Sequence, residues 1–215
     1  MAAKRKVGNL LALAVLSVII ERPMHRYEIA STLRDRGKDR DMDIKWGSLY
    51  TVVQNMAKAG FLEVVGSERA GARPERVIYR ITEAGRAELI DWTRELIAEP
   101  QPEQGRYVAG LSILAALPPE EVIELLGRRL AVLDEQIAAV HAEFEAAQGS
   151  LPRLFMVESE YGLAMLEAER AWTGSFRDEL IAGEFPGLDG WRKWHVDGMN
   201  QESVDDLMEG DRPDQ

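Results

Sequence analysis

From residue 49 onward the chain places apolar residues at helical spacing. Leu49, Val52, Val53, Met56 and Ala57 fall at i, i+3, i+4, i+7 and i+8, so one stripe of a helix seeks a core. The positions between them, Tyr50, Thr51, Gln54, Asn55 and Lys58, are polar and contain no acid. Ser48 stands where an N-cap is expected and Gly60 where a helix C-terminal glycine belongs. The period then changes. Phe61, Leu62, Val64 and Val65 form a short β-rich run, and Val77 to Thr82 form a second, with Val77, Tyr79 and Ile81 alternating against Ile78, Arg80 and Thr82. The intervening SERAGARPER predicts a hairpin with a long tip. Upstream, the nearly unbroken apolar run Leu10 to Ile20 predicts a buried helix from about Val7 to Glu21, halted by Pro23. A second helix is expected from His25 to Arg36, with Tyr27, Ile29, Ala30 and Leu33 available for the core and Gly37 ending it. Thr82 is placed to cap a fourth helix reaching Ile97, whose Leu89, Ile90, Trp92, Leu96 and Ile97 exceed the apolar needs of one small domain.

Pro100 and Pro102 mark a boundary. Beyond it the pattern is helical throughout, in segments of about Tyr107 to Leu117, Pro119 to Ala147 and Leu151 to Ile181. In the middle segment Leu126, Leu130, Leu133, Ile137, Val140, Phe144 and Ala147 recur in alternating steps of four and three, a heptad seam. In the last, Leu154, Tyr161, Met165, Ala168, Trp172, Phe176 and Leu180 make a second stripe. Two such helices joined by the turn GSLP form a hairpin with little core of its own. Dimerisation through Leu126, Leu130, Leu133, Ile137, Val140, Phe144, Tyr161, Met165, Trp172 and Phe176 is therefore expected, with packing inside one chain as the alternative. From Glu184 the chain is acidic and glycine-rich, which predicts a partly disordered tail; Trp191 and Trp194 are odd there and suit packing back onto the helical domain or a partner chain. The organisation predicted is mainly α with a small β-hairpin wing. Residues 1–98 form a winged helix-turn-helix, 99–183 a coiled-coil-like helical dimerisation domain and 184–215 the tail.

The order helix, helix, helix, strand, strand is that of a DNA-reading winged domain. An ordinary surface helix would show Glu and Lys opposite its core stripe. The helix after Gly47 shows hydroxyls and amides instead, groups that both donate and accept, as base edges and phosphates require. Thr51, Gln54 and Asn55 are the base-reading candidates; Lys45, Ser48, Tyr50 and Lys58 suit phosphates. Arg69, Arg73 and Arg76 in the wing can reach the neighbouring backbone or a minor groove, the alternative being a solvated loop. The competing class is a protein-interaction module built on the same fold. Such a surface would more often present an exposed apolar patch.

The net charge of −11 argues against this until it is divided. Residues 1–86 carry 16 Lys and Arg against 10 Asp and Glu, a balance of +6; residues 87–215 carry 10 against 27, a balance of −17. Phosphate binding follows the local field, and the positive charge lies with the predicted reading helix. Lys4, Arg5 and Lys6 ahead of the apolar run resemble the start of a secretory signal. The run ends, however, in Glu21, Arg22 and Pro23 where small residues would be required, and it is too short to span a bilayer. A buried first helix entered through a basic arm that can touch phosphate is expected instead. The absence of cysteine excludes disulfides and thiolate metal sites and agrees with a reducing cytoplasm.

These segments together resemble the PadR family of transcriptional regulators. The resemblance rests on the apolar first helix ending before Pro23, HRYEIA at 25–30, GSLY at 47–50, AGFLE at 59–63 and YRITEAG at 79–85. More loosely, residues 110–130 and 151–169 resemble the longer subfamily with a helical dimerisation domain, related to virulence-gene activators. The resemblance implies a homodimer, usually a repressor, on double-stranded DNA with a near-palindromic operator, released by a small molecule. It places Ser48 and Tyr50 at the phosphate-facing start of the reading helix and Tyr27 on the second helix, toward the DNA backbone. One departure is Arg26, where the family usually has Gly; it adds either a phosphate contact or a salt bridge to Glu21 or Glu28.

Catalysis finds no footing. His25, His141 and His195 lie in separate segments, and no HExxH, CxxC, GxGxxG or GxxxxGK[ST] occurs. No enzyme activity, metal or cofactor is expected. For a small hydrophobic or aromatic effector, Trp92, Tyr107, Trp172 and Phe176 are candidate platforms, with plain core packing as the alternative.

Overall fold

The computed structural model describes residues 5–38, 42, 44–68, 76–100, 105–147 and 150–198, in two compact units, Met1–Pro102 and Glu103–Gln215.

The first unit is built around α1 (Leu10–Ile19). Apolar nearly all round, this helix buries Leu11, Leu13, Val15, Leu16, Val18 and Ile19, so it is the centre of the core and not a surface helix. It starts three residues later than predicted because Asn9 is its cap, accepting from Leu11 N–H at 2.8 Å. A two-residue strand β1 (Met24–His25) follows, then α2 (Arg26–Asp35), a 3₁₀ turn over Trp46–Ser48 and α3 (Leu49–Lys58). The wing pairs β2 (Leu62–Glu68) with β3 (Arg76–Ile81), and β1 adds to its far side through Met24 opposite Tyr79, giving the antiparallel order β1-β3-β2. The third strand was not predicted, since two residues between a proline and a helix carry no readable alternation. A register shift between Val64 and Gly66 bulges β2.

Helix α4 (Glu83–Ala98) is capped by Thr82, whose hydroxyl oxygen accepts from Gly85 N–H at 3.1 Å. That cap is predicted from sequence, as is the surplus apolar surface: Ile90, Leu96 and Ile97 stay exposed while Trp92 joins the core.

The second unit is helical among its described residues. A short α5 (Arg106–Leu111) and a 3₁₀ turn at Leu114–Ala116 precede α6 (Pro119–Ala147). A 3₁₀ turn at Arg153–Phe155 leads into α7 (Val157–Ala182), and α8 (Leu188–Asp197) follows. Helices α6 and α7 pack antiparallel, for contacts run from Arg177 with Ile123 to Asp134 with Arg170. Arg129 joins Glu169 across the same seam. Gly127 permits this approach, because a Cβ there would stand 3.2 Å from Arg177 Nε.

Two expectations change here. Leu126 and Leu133, expected at a subunit interface, are buried inside the chain. Heptad spacing declares a seam without declaring whose helix fills it. Residues 188–197, placed in a partly disordered tail, form α8, and Trp191 packs back onto the helical domain as its sequence suited, buried with Leu188 against Val122, Leu126 and Leu180. Trp191 Nε1–H donates to Leu117 O at 2.9 Å and Arg192 pairs with Glu120 at 2.8 Å. Glycines at 183 and 187, both at positive φ, turn the chain into that helix; they are breaks between helices, not a signature of disorder.

Candidate nucleic-acid interface

Helix α3 buries Leu49, Val52, Val53 and Met56 in the core of the first unit, which turns Tyr50, Thr51, Asn55 and Lys58 to solvent and leaves Gln54 half-exposed. The apolar stripe alone fixes which face is presented. The chain closes the helix through Gly60, at φ 83°, while Phe61 N–H donates to Met56 O at 2.9 Å.

Ser48 does not cap this helix. Its backbone is already αR because the 3₁₀ turn runs straight into α3, and its hydroxyl donates back to Lys45 O at 2.8 Å. A side-chain cap needs extended backbone, which is absent at this position. Lys45 lies exposed in extended backbone just before the turn.

Beside α3 the first turn of α2 contributes a cluster of guanidinium and phenol groups. The Arg26 guanidinium lies 4.7 Å from the Tyr50 ring and 5.1 Å from that of Tyr27. Arg76, at the start of β3, also approaches the Tyr27 ring, at 5.7 Å. Arg26 also donates to Tyr27 OH at 3.4 Å, and this bond, then the arginine's charge, holds the Tyr27 phenol below its usual range. Both tyrosines are at least half exposed, so the cluster is a platform and not a core. Cation–π contact orders the guanidinium groups while leaving N–H donors on their edges for an anion.

The two salt bridges offered for Arg26 go elsewhere. Glu21 takes Arg36 in two bonds of 2.6 and 2.8 Å, and Glu28 takes Arg22 at 3.2 Å. Glu28 also completes a capping box with His25: His25 Nδ1 accepts from Glu28 N–H at 3.1 Å, and Glu28 accepts from His25 N–H at 3.0 Å. The spacing His-x-x-Glu in HRYEIA carries this signal, with histidine in the usual Ser or Thr place.

The structure brings Arg26, Tyr27, Tyr50 and Arg76 together and sets Gln54 against Tyr50. Thr51, Asn55 and Lys58 line the same outward face of α3. Arg69 and Arg73 lie outside the described residues. Of the basic arm, Lys4 lies outside the described residues and Lys6 is exposed, whereas Arg5 turns inward over Trp92, at 5.1 Å, donating to Glu88 at 2.7 Å and pairing with Glu95. Two carboxylates and an indole face outcompete solvent for it, so it ties the arm to α4.

Of the aromatic residues considered for an effector, Trp92 belongs to the first unit's core. In the second unit Tyr107 meets Trp172 edge-on at 6.2 Å, Trp172 stacks on Phe176 at 5.3 Å, and the run continues through Phe185 to Trp191. Arg129 lies 3.5 Å above Tyr107, and Tyr107 OH is 3.3 Å from the buried Thr173 hydroxyl. Among the described residues no group of His, Asp or Glu is arranged to hold a metal, and no helix is long and apolar enough to cross a membrane.

Solved structures share the fold of a winged helix-turn-helix followed by long helices. Bacillus subtilis PadR in complex with operator DNA is 17% identical, with a TM-score of 0.66 over 80% of this chain and 97% of that one. The same protein in complex with p-coumaric acid gives 17% identity and a TM-score of 0.65, over 80% of this chain and 99% of that one. The Vibrio cholerae virulence activator AphA gives 21% and 0.60, over 80% and 98%. At such identities the likeness is one of fold. The family model of the transcriptional regulator PadR-like family matches residues 15–91, a segment of the winged domain, and over that segment the chain is similar to the family. No curated protein matches the sequence.

Proposed function

We propose that the chain is a sequence-specific DNA-binding regulator that acts as a homodimer in the cytoplasm, represses by occluding a promoter, and is released by a small hydrophobic or aromatic effector. The observation that carries this reading is the acid-free outward face of α3 beside the Arg26, Tyr27, Tyr50 and Arg76 platform. It lies in a segment whose balance is +6 within a chain of −11. Local positive charge with hydroxyl and amide donors is what phosphate positioning and base readout both require. In a dimer, each α3 enters a major groove and the two half-sites repeat about one helical turn apart. For the effector, the support is the run from Tyr107 to Trp172 and Phe176, with Trp172 half-exposed at its face.

The test is a mobility shift on DNA upstream of the protein's own gene, at two salt concentrations and with excess nonspecific competitor. A discrete, competitor-resistant complex weakened by salt is expected, and aromatic carboxylates are then screened for release. If neither this DNA nor a random-sequence pool yields a specific complex, the winged domain is a protein-interaction module instead.

A further inference from the structure

The outward face of α3 carries a hydrogen bond between two of its own side chains: Gln54 Nε2 donates to Tyr50 OH at 2.6 Å, one helical turn away. The consequence lies in the two ends of an amide. A glutamine free to rotate offers N–H to a keto base or C=O to an amino base and so tells them apart poorly. Adenine N6 and cytosine N4 donate in the major groove, whereas guanine O6 and thymine O4 accept. Anchoring one Nε2–H on Tyr50 OH stops the amide from flipping, so Oε1 keeps a fixed place as its acceptor end beside the remaining N–H.

Resting on the DNA-binding reading above, we propose that Tyr50 is a positioning residue for base recognition: it sets the polarity of Gln54 so that each subunit selects an amino base, adenine or cytosine, on the strand Gln54 faces. The arrangement is supported from behind, because the Tyr50 ring is held under the Arg26 guanidinium at 4.7 Å. It also leaves Tyr50 a task of its own. A hydroxyl that accepts from Gln54 keeps its proton, which it can donate to a phosphate oxygen. One side chain thus joins backbone positioning to base reading.

Selection from a random-sequence pool by the full-length wild type, Tyr50→Phe, Gln54→Ala and the double variant tests this, with protein concentration raised to equalise the bound fraction. The wild-type motif should contain a position preferring A or C over G and T by about tenfold, the worth of a good base contact. Tyr50→Phe should flatten that position alone, and in the Gln54→Ala background it should flatten nothing further. If Tyr50→Phe weakens every sequence alike and leaves the motif unchanged, Tyr50 is a phosphate contact only and the proposal fails. It fails equally if no amino preference exists in the wild type. A wild type that enriches no sequence overturns the DNA-binding reading itself, and this inference with it.

Discussion

Lys58 and Glu28 show how differently two charges contribute. Lys58 lies on the outward face of α3, in its last turn, so its role would be contact with phosphate. Lys58→Ala is expected to weaken all sequences about equally and to lower the slope of log affinity against log salt by about 1, measured by titration at several salt concentrations. Glu28 acts inside the fold. Burial opposes its ionisation, but the hydrogen bonds from His25 N–H and Arg22 prevail and hold its carboxyl below the usual range. A carboxyl lowered in the folded state adds stability that is fully present above its unfolded pKa of about 4.3 and is lost as pH falls through the folded value. Glu28→Gln should therefore cost under about 1 kcal/mol at pH 7, and that cost should shrink as the pH is lowered below the ordinary carboxylate range. Thermal midpoints of both proteins from pH 7 down through that range check the sign; an offset independent of pH would refute it.

At the scale of elements, Gly85 locks the reading helix to the rest of the winged domain. A Cβ at Gly85 would stand 2.2 Å from Phe61 O and 2.9 Å from Ile81 Cγ1. The same Phe61 O accepts from Thr82 N–H at 3.0 Å, and Thr82 Oγ1 donates to Gly60 O at 2.6 Å, so the end of α3, the start of β2 and the start of α4 meet at one point. Helix propensity alone would make Gly85→Ala favourable by about 1 kcal/mol. The backbone clash should reverse the sign and destabilise by about 3 kcal/mol, the upper part of the overpacking range. Denaturant unfolding that found the variant more stable would show the junction to be looser than described. YRITEAG displays this glycine in the sequence, yet nothing local explains it, because the atoms that forbid a side chain come from Phe61 and Ile81. Periodicity gave the faces of α3 and α4 because a single helix decides them. It could not give β1, the helical form of α8 or the inward turn of Arg5, each settled by a partner distant in sequence. Ser48 failed for a local reason, since a 3₁₀ turn leading into a helix removes the extended backbone that a cap needs.

At the scale of the whole molecule, charge and apolar surface are divided between the two units. The N-terminal segment holds the positive balance, while the second unit buries α6 residues such as Leu126 and Leu133 within its own hairpin. What that packing leaves outside is a stripe along α7 and the turn before it: Leu154, Phe155, Val157, Tyr161, Met165 and Trp172 are each at least half exposed. An exposed apolar stripe of this extent marks an interaction site. For the dimer proposed above, a second copy of the chain is the partner that a two-fold operator would call for. The contact surface expected for the dimer therefore narrows from both stripes to the outer part of α7. Introducing two like charges at its centre, Tyr161→Glu with Met165→Glu, should produce monomers by sedimentation without loss of helical circular dichroism, because neither residue is buried in the chain. Operator affinity should fall by far more than any change at the reading helix explains, since a monomer engages one half-site and loses the effective concentration that links it to the other. If the variant remains dimeric and binds as before, α7 is not the interface, and the exposed Ile90, Leu96 and Ile97 of α4 become the surface to charge next.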